Sequence, residues 1–279
     1  VAVGITRLGV PSGFIGKVGA DTFGDFLISE LNENGVHTGG ITQTEEAPTA
    51  LAFVSRSSAG DREFLFYRNP CADILLTKSE LPQDWLRQIQ YLHLGSVSLT
   101  RNPSRQATLH AAKLTHANGG KVTFDPNLRI SLWTNGLAEC RSVTQSILEF
   151  TDIFLPSKEE LLMLMGTNEL DKGLIRAHEM GPPIICVKMG PRGSLISERT
   201  PKGKFRKFTQ PPYAVDVVDT TGAGDGYDAG VIVGLVQGFS LEEAVQQGTA
   251  VASLVITKMG AMTALPTKTE LDDFLEHSH

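Results

Sequence analysis

The sequence predicts an α/β fold: a largely parallel sheet with helices on both faces. Three observations lead there. From about residue 75 onward, short β-rich runs alternate with helical stretches, and parallel strands need such crossovers. A Gly-rich turn at 222–224 stands between a strand-like run and an apolar run of helical length. Between the first elements and that alternation lies a β-hairpin, which reads as an inserted flap.

Taken in order, Val1-Ala2-Val3-Gly4-Ile5 reads as the end of a helix that stops at Gly9. Gly13-Phe14-Ile15-Gly16-Lys17-Val18-Gly19 reads as a short strand. Residues 23–35 read as a helix, with Phe23, Phe26, Leu27 and Leu31 at helical spacing and Gly35 as its stop. The runs 49–54 and 63–67, on either side of Ala59-Gly60-Asp61, make the hairpin. We expect a lid at 41–74 on a core of 1–40 and 75–279. Strands are expected at 91–94, 121–124, 153–155, 184–188 and 214–218, and helices at 104–117 and from 229. Lys202, Lys204, Arg206 and Lys207 around Gly203 read as a solvated hairpin.

Composition narrows the function. The 279 residues are 41% hydrophobic and 20% charged, which suits a packed globular chain. A formal net charge of −6 argues against broad contact with a nucleic-acid backbone, so no nucleic acid is expected. No apolar stretch approaches the length of a membrane span, and no basic-then-apolar leader opens the chain. Cys71, Cys140 and Cys186 form no CxxC pair, and a reducing cytoplasm is the simplest setting. The seven histidines are scattered, and His93 reads as a packed core residue.

Active sites of such sheets lie outside the carboxyl ends of the strands. Three polar clusters fall there: Asp125-Pro126-Asn127-Leu128-Arg129, Ser157-Lys158-Glu159-Glu160 and Gly190-Pro191-Arg192-Gly193. The sharpest feature is Asp219-Thr220-Thr221-Gly222-Ala223-Gly224-Asp225-Gly226-Tyr227. A turn of small residues opening a helix suits an anion, because the free N–H groups of the first turn point at it. Asp225 at such a mouth is costly beside an anion unless it works as a general base near a phosphoryl group in transfer. The plainer alternative is a turn whose Asp merely caps the helix. No GxxxxGK[ST] run and no HRD or DFG set is present.

Residues 219–230 closely resemble the DTxGAGDxFxxG signature of the PfkB (ribokinase-like) carbohydrate kinases. The stretch from Arg7 through Gly24 is similar to that family's N-terminal signature without its front. Gly60-Asp61-Arg62-Glu63-Phe64, Tyr67-Arg68, Pro103-Ser104-Arg105, the Asp125 to Arg129 run and Gly260-Ala261-Met262-Thr263-Ala264-Leu265-Pro266 resemble bacterial fructokinases. The resemblance spans essentially the whole chain. It implies a three-layer α/β/α core with a β-sheet lid, and ATP-dependent phosphorylation of fructose to fructose 6-phosphate with Mg²⁺. It leaves room for a K⁺-type activator and for a homodimer through the lid.

By motif, the resemblance makes Asp225 the base and the Gly222, Ala223 and Gly224 amides the anion hole. Arg129, Ser157, Glu160, Lys188, Gly190, Gly193 and Thr221 go to the nucleotide. Glu160, Asp219 and Thr221 go to metal ions, Glu160 by way of water. Arg62, Tyr67 and Arg68, with Asp225, are the candidates for sugar contact. Two departures stand out: Ser157 replaces an Asn, and Gly226-Tyr227 replaces a small residue and Phe. Val1 aligns just behind the family's Gly-Gly…Asn stretch, so the first strand and its sugar-binding Asp are expected outside these 279 residues. The rival readings are a kinase for 2-keto-3-deoxygluconate or a riboside, and a catalytically silent kinase-like protein.

Overall fold

Period-two alternation in the central strands decides the architecture. The computed structural model describes residues 1–56, 62–200 and 202–277. Its elements begin with helix α1 (Ala2–Arg7), strand β1 (Gly13–Gly19), helix α2 (Thr22–Glu33) and strand β2 (His37–Thr44). The hairpin strands β3 (Leu51–Arg56) and β4 (Arg62–Tyr67) follow. Then come α3 (Gln83–Gln88), β5 (Tyr91–Gly95), α4 (Ser104–Ala117), β6 (Lys121–Asp125), α5 (Gly136–Leu148) and β7 (Ile153–Phe154). Helices α6 (Lys158–Met165) and α7 (Leu170–Glu179) lead to β8 (Ile184–Lys188), β9 (Ser194–Arg199) and β10 (Phe205–Gln210). Helices α8 (Ala223–Val236), α9 (Leu241–Val255) and α10 (Lys268–His277) close the chain.

Six strands form the main sheet in the order β10-β9-β8-β7-β6-β5. Strands β5 to β8 pair in parallel, and β9 and β10 add an antiparallel edge. Phe124, Phe154, Ile185 and Val187 point to one face and pack with Cys140 and Ile147 of α5, Leu161 of α6 and Leu174 of α7. Ile153, Leu155, Cys186 and Ile196 point to the other and pack with Tyr227 and Val231 of α8 and Leu241 and Val245 of α9. Successive residues of one strand thus feed two helical layers, which gives the three-layer core. Among the described residues no helix is long and apolar enough to cross a membrane. The three cysteines are free and buried.

Strands β1 and β2 form a separate parallel pair, and β2 runs through residues 40 and 41, where core and lid were expected to part. The hairpin pairs Leu51 with Tyr67 and Arg56 with Arg62; its Ala59-Gly60-Asp61 turn lies outside the described residues. Helix α2 lies where it was expected, with Phe23, Phe26 and Leu27 exposed, Gly24 buried and Leu31 packed against the cluster of Val3, Leu8 and Val36. One expectation needs correction. Residues 214–218 form no strand. Pro211 and Pro212 carry no N–H to continue pairing beyond β10. The segment instead crosses to α8, with Val217 and Val218 exposed and the Val218 N–H donating to the Ile256 carbonyl at 2.8 Å.

Candidate active site

Helix α8 starts without a side-chain cap. Its N-cap is Gly222, at φ +82° and ψ 0°, a left-handed conformation that favours glycine. A Cβ there would stand 3.0 Å from Ala261 Cα and 3.3 Å from the Ala261 carbonyl oxygen. The close approach seats the Gly-rich turn on the loop after α9. Asp219, 4% exposed, builds the same corner. Its Oδ1 accepts the Thr221 N–H at 2.9 Å and the Thr221 hydroxyl at 2.7 Å, and its Oδ2 accepts the Gly260 N–H at 3.2 Å. Arg7 of α1 donates to the carbonyls of Met262 and Leu265 at 3.1 and 2.8 Å, tying the far side of that loop.

Asp225 stands in the first turn of α8 with its side chain 47% exposed, and its Oδ1 lies 3.9 Å from the Val1 nitrogen. A carboxylate open to solvent beside an uncapped helix start is placed to accept a proton from a group held there. Gly226 is not a loose spot: a Cβ on it would meet Val255 Cγ2 at 2.9 Å, so the glycine lets α8 lie against α9. The Tyr227 hydroxyl finds a buried partner, donating to Ser194 Oγ at 3.1 Å.

Five of the expected nucleotide residues fall into two groups. Gly190 and Gly193, both at positive φ, form the turn after β8. A Cβ on Gly190 would meet nothing within 4 Å, whereas one on Gly193 would strike the Gln210 carbonyl. Ser157 and Glu160 make a capping box at the start of α6, with Glu160 Oε2 accepting the Ser157 N–H at 2.8 Å and Ser157 Oγ accepting the Glu160 N–H at 3.2 Å. Glu160 Oε1 accepts the Leu128 N–H at 2.7 Å and so holds the loop that carries Arg129. The Arg129 guanidinium donates to the Leu128 carbonyl at 2.9 Å.

Lys188 is tied to two carboxylates: its ammonium donates to Asp125 Oδ2 at 2.8 Å and to Asp228 Oδ1 at 3.3 Å. Burial opposes its charge, yet the two carboxylates hold its pKa above the ordinary lysine value. His93 is drawn into the same cluster, its Nδ1 2.9 Å from Thr123 Oγ1. Burial pulls its pKa down to about 3. Sequence reasoning missed Asp228. Its only signal was a charged residue on the apolar side of a helix, three places after Asp225.

Arg68 pairs with Asp73 and helps line a cleft of about 170 Å³ between hairpin and core, with Phe66, Asn69, Thr100, Arg101 and Ser131. Arg101, which the sequence did not flag, donates to Asn69 Oδ1 at 3.2 Å. Tyr67 is on the opposite side of β4. It is exposed beside Leu51, Phe53 and Leu65, with its ring 5.5 Å from that of Phe53. Tyr67 and Arg68 therefore do not face one cleft: Arg68 lines it with Phe66, and Tyr67 stands with Leu65 on the other face of β4. The Arg62 side chain lies outside the described residues.

No three His, Cys, Asp or Glu side chains gather into a metal cluster among the described residues. Both Glu160 oxygens already accept backbone N–H groups. This suits a magnesium ion that keeps its waters and binds mainly through phosphates. Asp219 accepts three hydrogen bonds at its corner, from the Thr221 N–H and hydroxyl and the Gly260 N–H.

The profile of the pfkB family carbohydrate kinases matches residues 1–268. Fructokinase-1 of Oryza sativa subsp. japonica is 37% identical over 284 residues, covering 99% of this chain and 86% of that protein. The fructokinase of Xylella fastidiosa with bound ATP superposes with a TM-score of 0.89 at 29% identity, over 99% of this chain and 88% of that one. The fructokinase of Vibrio cholerae with bound fructose, ADP and calcium superposes with a TM-score of 0.87 at 30% identity, over 98% and 88%.

Proposed function

Because the chain belongs to the pfkB family of carbohydrate kinases, we propose that it transfers the γ-phosphoryl group of ATP to fructose, giving fructose 6-phosphate and ADP. The observation that carries this reading is Asp225, half-exposed at the uncapped glycine start of α8. In this reaction the sugar sits under the hairpin, near Arg68 and Arg101, with its 6-hydroxyl toward Asp225. The carboxylate takes the hydroxyl proton as the oxygen attacks phosphorus. The amides of residues 222–224 bind the equatorial oxygens of the transferring group, where charge builds up. The turn at Gly190 and Gly193 and the loop of Arg129 receive the nucleotide. A magnesium ion carried by the phosphates would be held near Glu160 and would supply charge neutralisation there.

Relatives with fructose and with ATP bound support this substrate pair. A reducing cytoplasm, where three free buried cysteines persist and ATP is at hand, suits the enzyme. The outward hairpin face of Leu51, Phe53, Leu65 and Tyr67 offers apolar area for a second copy. Sedimentation of wild type against Phe53→Lys tests that contact.

The deciding experiment is a coupled ADP-release assay with fructose, 2-keto-3-deoxygluconate and a riboside. Fructose is expected to give the highest kcat/KM. A higher value for another sugar changes the substrate, and nucleotide binding with no turnover on any of them identifies a silent relative.

A further inference from the structure

Lys188, Asp125 and Asp228 come from three elements: the carboxyl ends of β8 and β6, and the second turn of α8. They meet directly beneath the Gly-rich turn. A Cβ on Gly224 would stand 3.5 Å from Lys188 Nζ, the same atom that bonds both carboxylates. Asp228 is wholly buried, and its Oδ2 has no hydrogen-bond partner and lies 4.0 Å from His93 Nε2. Stability alone does not explain such a trio, since well-packed apolar side chains often hold a core as well as a buried ion pair does. What the trio does uniquely is lock a helix end that has no side-chain cap of its own.

We infer that Asp228 is a positioning residue for phosphoryl transfer: through Lys188 and Asp125 it ties the start of α8 to the ends of β6 and β8, and so sets where Asp225 and the 222–224 amides stand. The inference rests on the sugar-kinase reading above. The groups facing Asp228 are His93 on β5, Asp125 on β6, Cys186 and Lys188 on β8, and Asp225 and Tyr227 on α8 itself. Burial raises its pKa well above the ordinary carboxylate value, and Asp125 adds to this against the charge of Lys188. Asp125 is also desolvated, but Lys188 holds its pKa low. Lys188 Nζ thus holds Asp125 Oδ2 and Asp228 Oδ1 together at the start of α8.

Asn and Leu substitutions separate this role from simple filling. Asn keeps the shape and an oxygen that accepts from Lys188; Leu matches the volume and bonds nothing. D228N is expected to keep kcat close to wild type. D228L is expected to lose ~10–100-fold in kcat, the scale for partners that orient an active group, with KM for ATP and fructose nearly unchanged. A D228N as slow as D228L, or a D228L as fast as wild type, overturns the inference. Amide exchange at residues 222–226 without substrate supplies a readout that needs no turnover, and Asp228→Ala stands in where D228L does not fold. Exchange there is expected to be faster in D228L or Asp228→Ala than in wild type, and unchanged exchange overturns the inference. Wild type that phosphorylates no sugar while showing that difference defeats the kinase reading instead.

Discussion

Gly222 packs so tightly on Ala261 that a Cβ on the glycine would reach within 3.0 Å of the alanine Cα. The contact joins the anion-binding turn to the loop after α9, and it happens at φ +82°. Gly222→Ala is therefore expected to lower stability by ~1–3 kcal/mol, the scale of left-handed strain at a non-glycine residue. It should also slow turnover, because relief of the clash displaces the amides that hold the phosphoryl group. Urea unfolding and ADP-release assays on the same preparation check both. An unchanged midpoint removes the steric argument.

Asp225→Asn keeps the shape of the side chain and removes its ability to take a proton. Its kcat is expected to fall by at least ~10²-fold, the usual contribution of a placed general base. The KM for ATP should barely move. Turnover near wild type would clear Asp225 of the role.

Arg101 bridges hairpin and core through Asn69. Arg101→Ala is expected to raise the KM for fructose by ~10-fold or more, as for the loss of a hydrogen bond from a charged group. The same variant should weaken the slowing of amide exchange that fructose causes in β3 and β4, since closing a lid over the sugar excludes water. Fructose that leaves exchange in those strands unchanged even in the wild type would argue against a lid.

Glu80 is paired with Lys17 at 2.5 Å. Burial pushes its pKa up, but hydrogen bonds from Lys17 and Thr77 overcome this and bring it down to about 2 from an ordinary 4.5. A carboxyl whose folded pKa is depressed stabilises the fold above its unfolded pKa and stops doing so as pH falls toward the folded one. Wild type is thus expected to melt above Lys17→Met at pH 7. The gap should narrow as pH drops from about 4.5 toward 2. A gap that stays constant across that range would show that the lysine acts through packing alone.

The alternation of strands and helices was legible because β6 and β8 are short apolar runs between clear turn residues, and helix 104–117 is bounded as the pattern predicts. The glycine turn and Asp225 were legible for the same reason: a local motif fixes a local geometry. Residues 214–218 were not, because Ala-Val-Asp-Val-Val has strand propensity but no neighbouring edge to pair with, which is a tertiary fact. Phe23, Phe26 and Leu27 show the converse, a helical stripe that the rest of the chain leaves uncovered. The buried bonds of Lys188 were not legible, because its partners lie 63 and 40 residues away and no spacing rule joins them.

Strand β7 is two residues long, Ile153 and Phe154, yet it sits in the middle of the sheet and serves both helical layers. Its brevity leaves no slack for insertions or deletions. One residue removed just before it would turn Phe154 toward α8 and α9 and Ile153 toward α5 to α7, exchanging large and small side chains in both cores at once. The shift would also carry Ser157 and Glu160 out of step with the loop after β6, where Glu160 accepts the Leu128 N–H. Length variation among chains of this design should therefore collect in the hairpin between β9 and β10, where Gly203 turns in open space, and avoid 150–160.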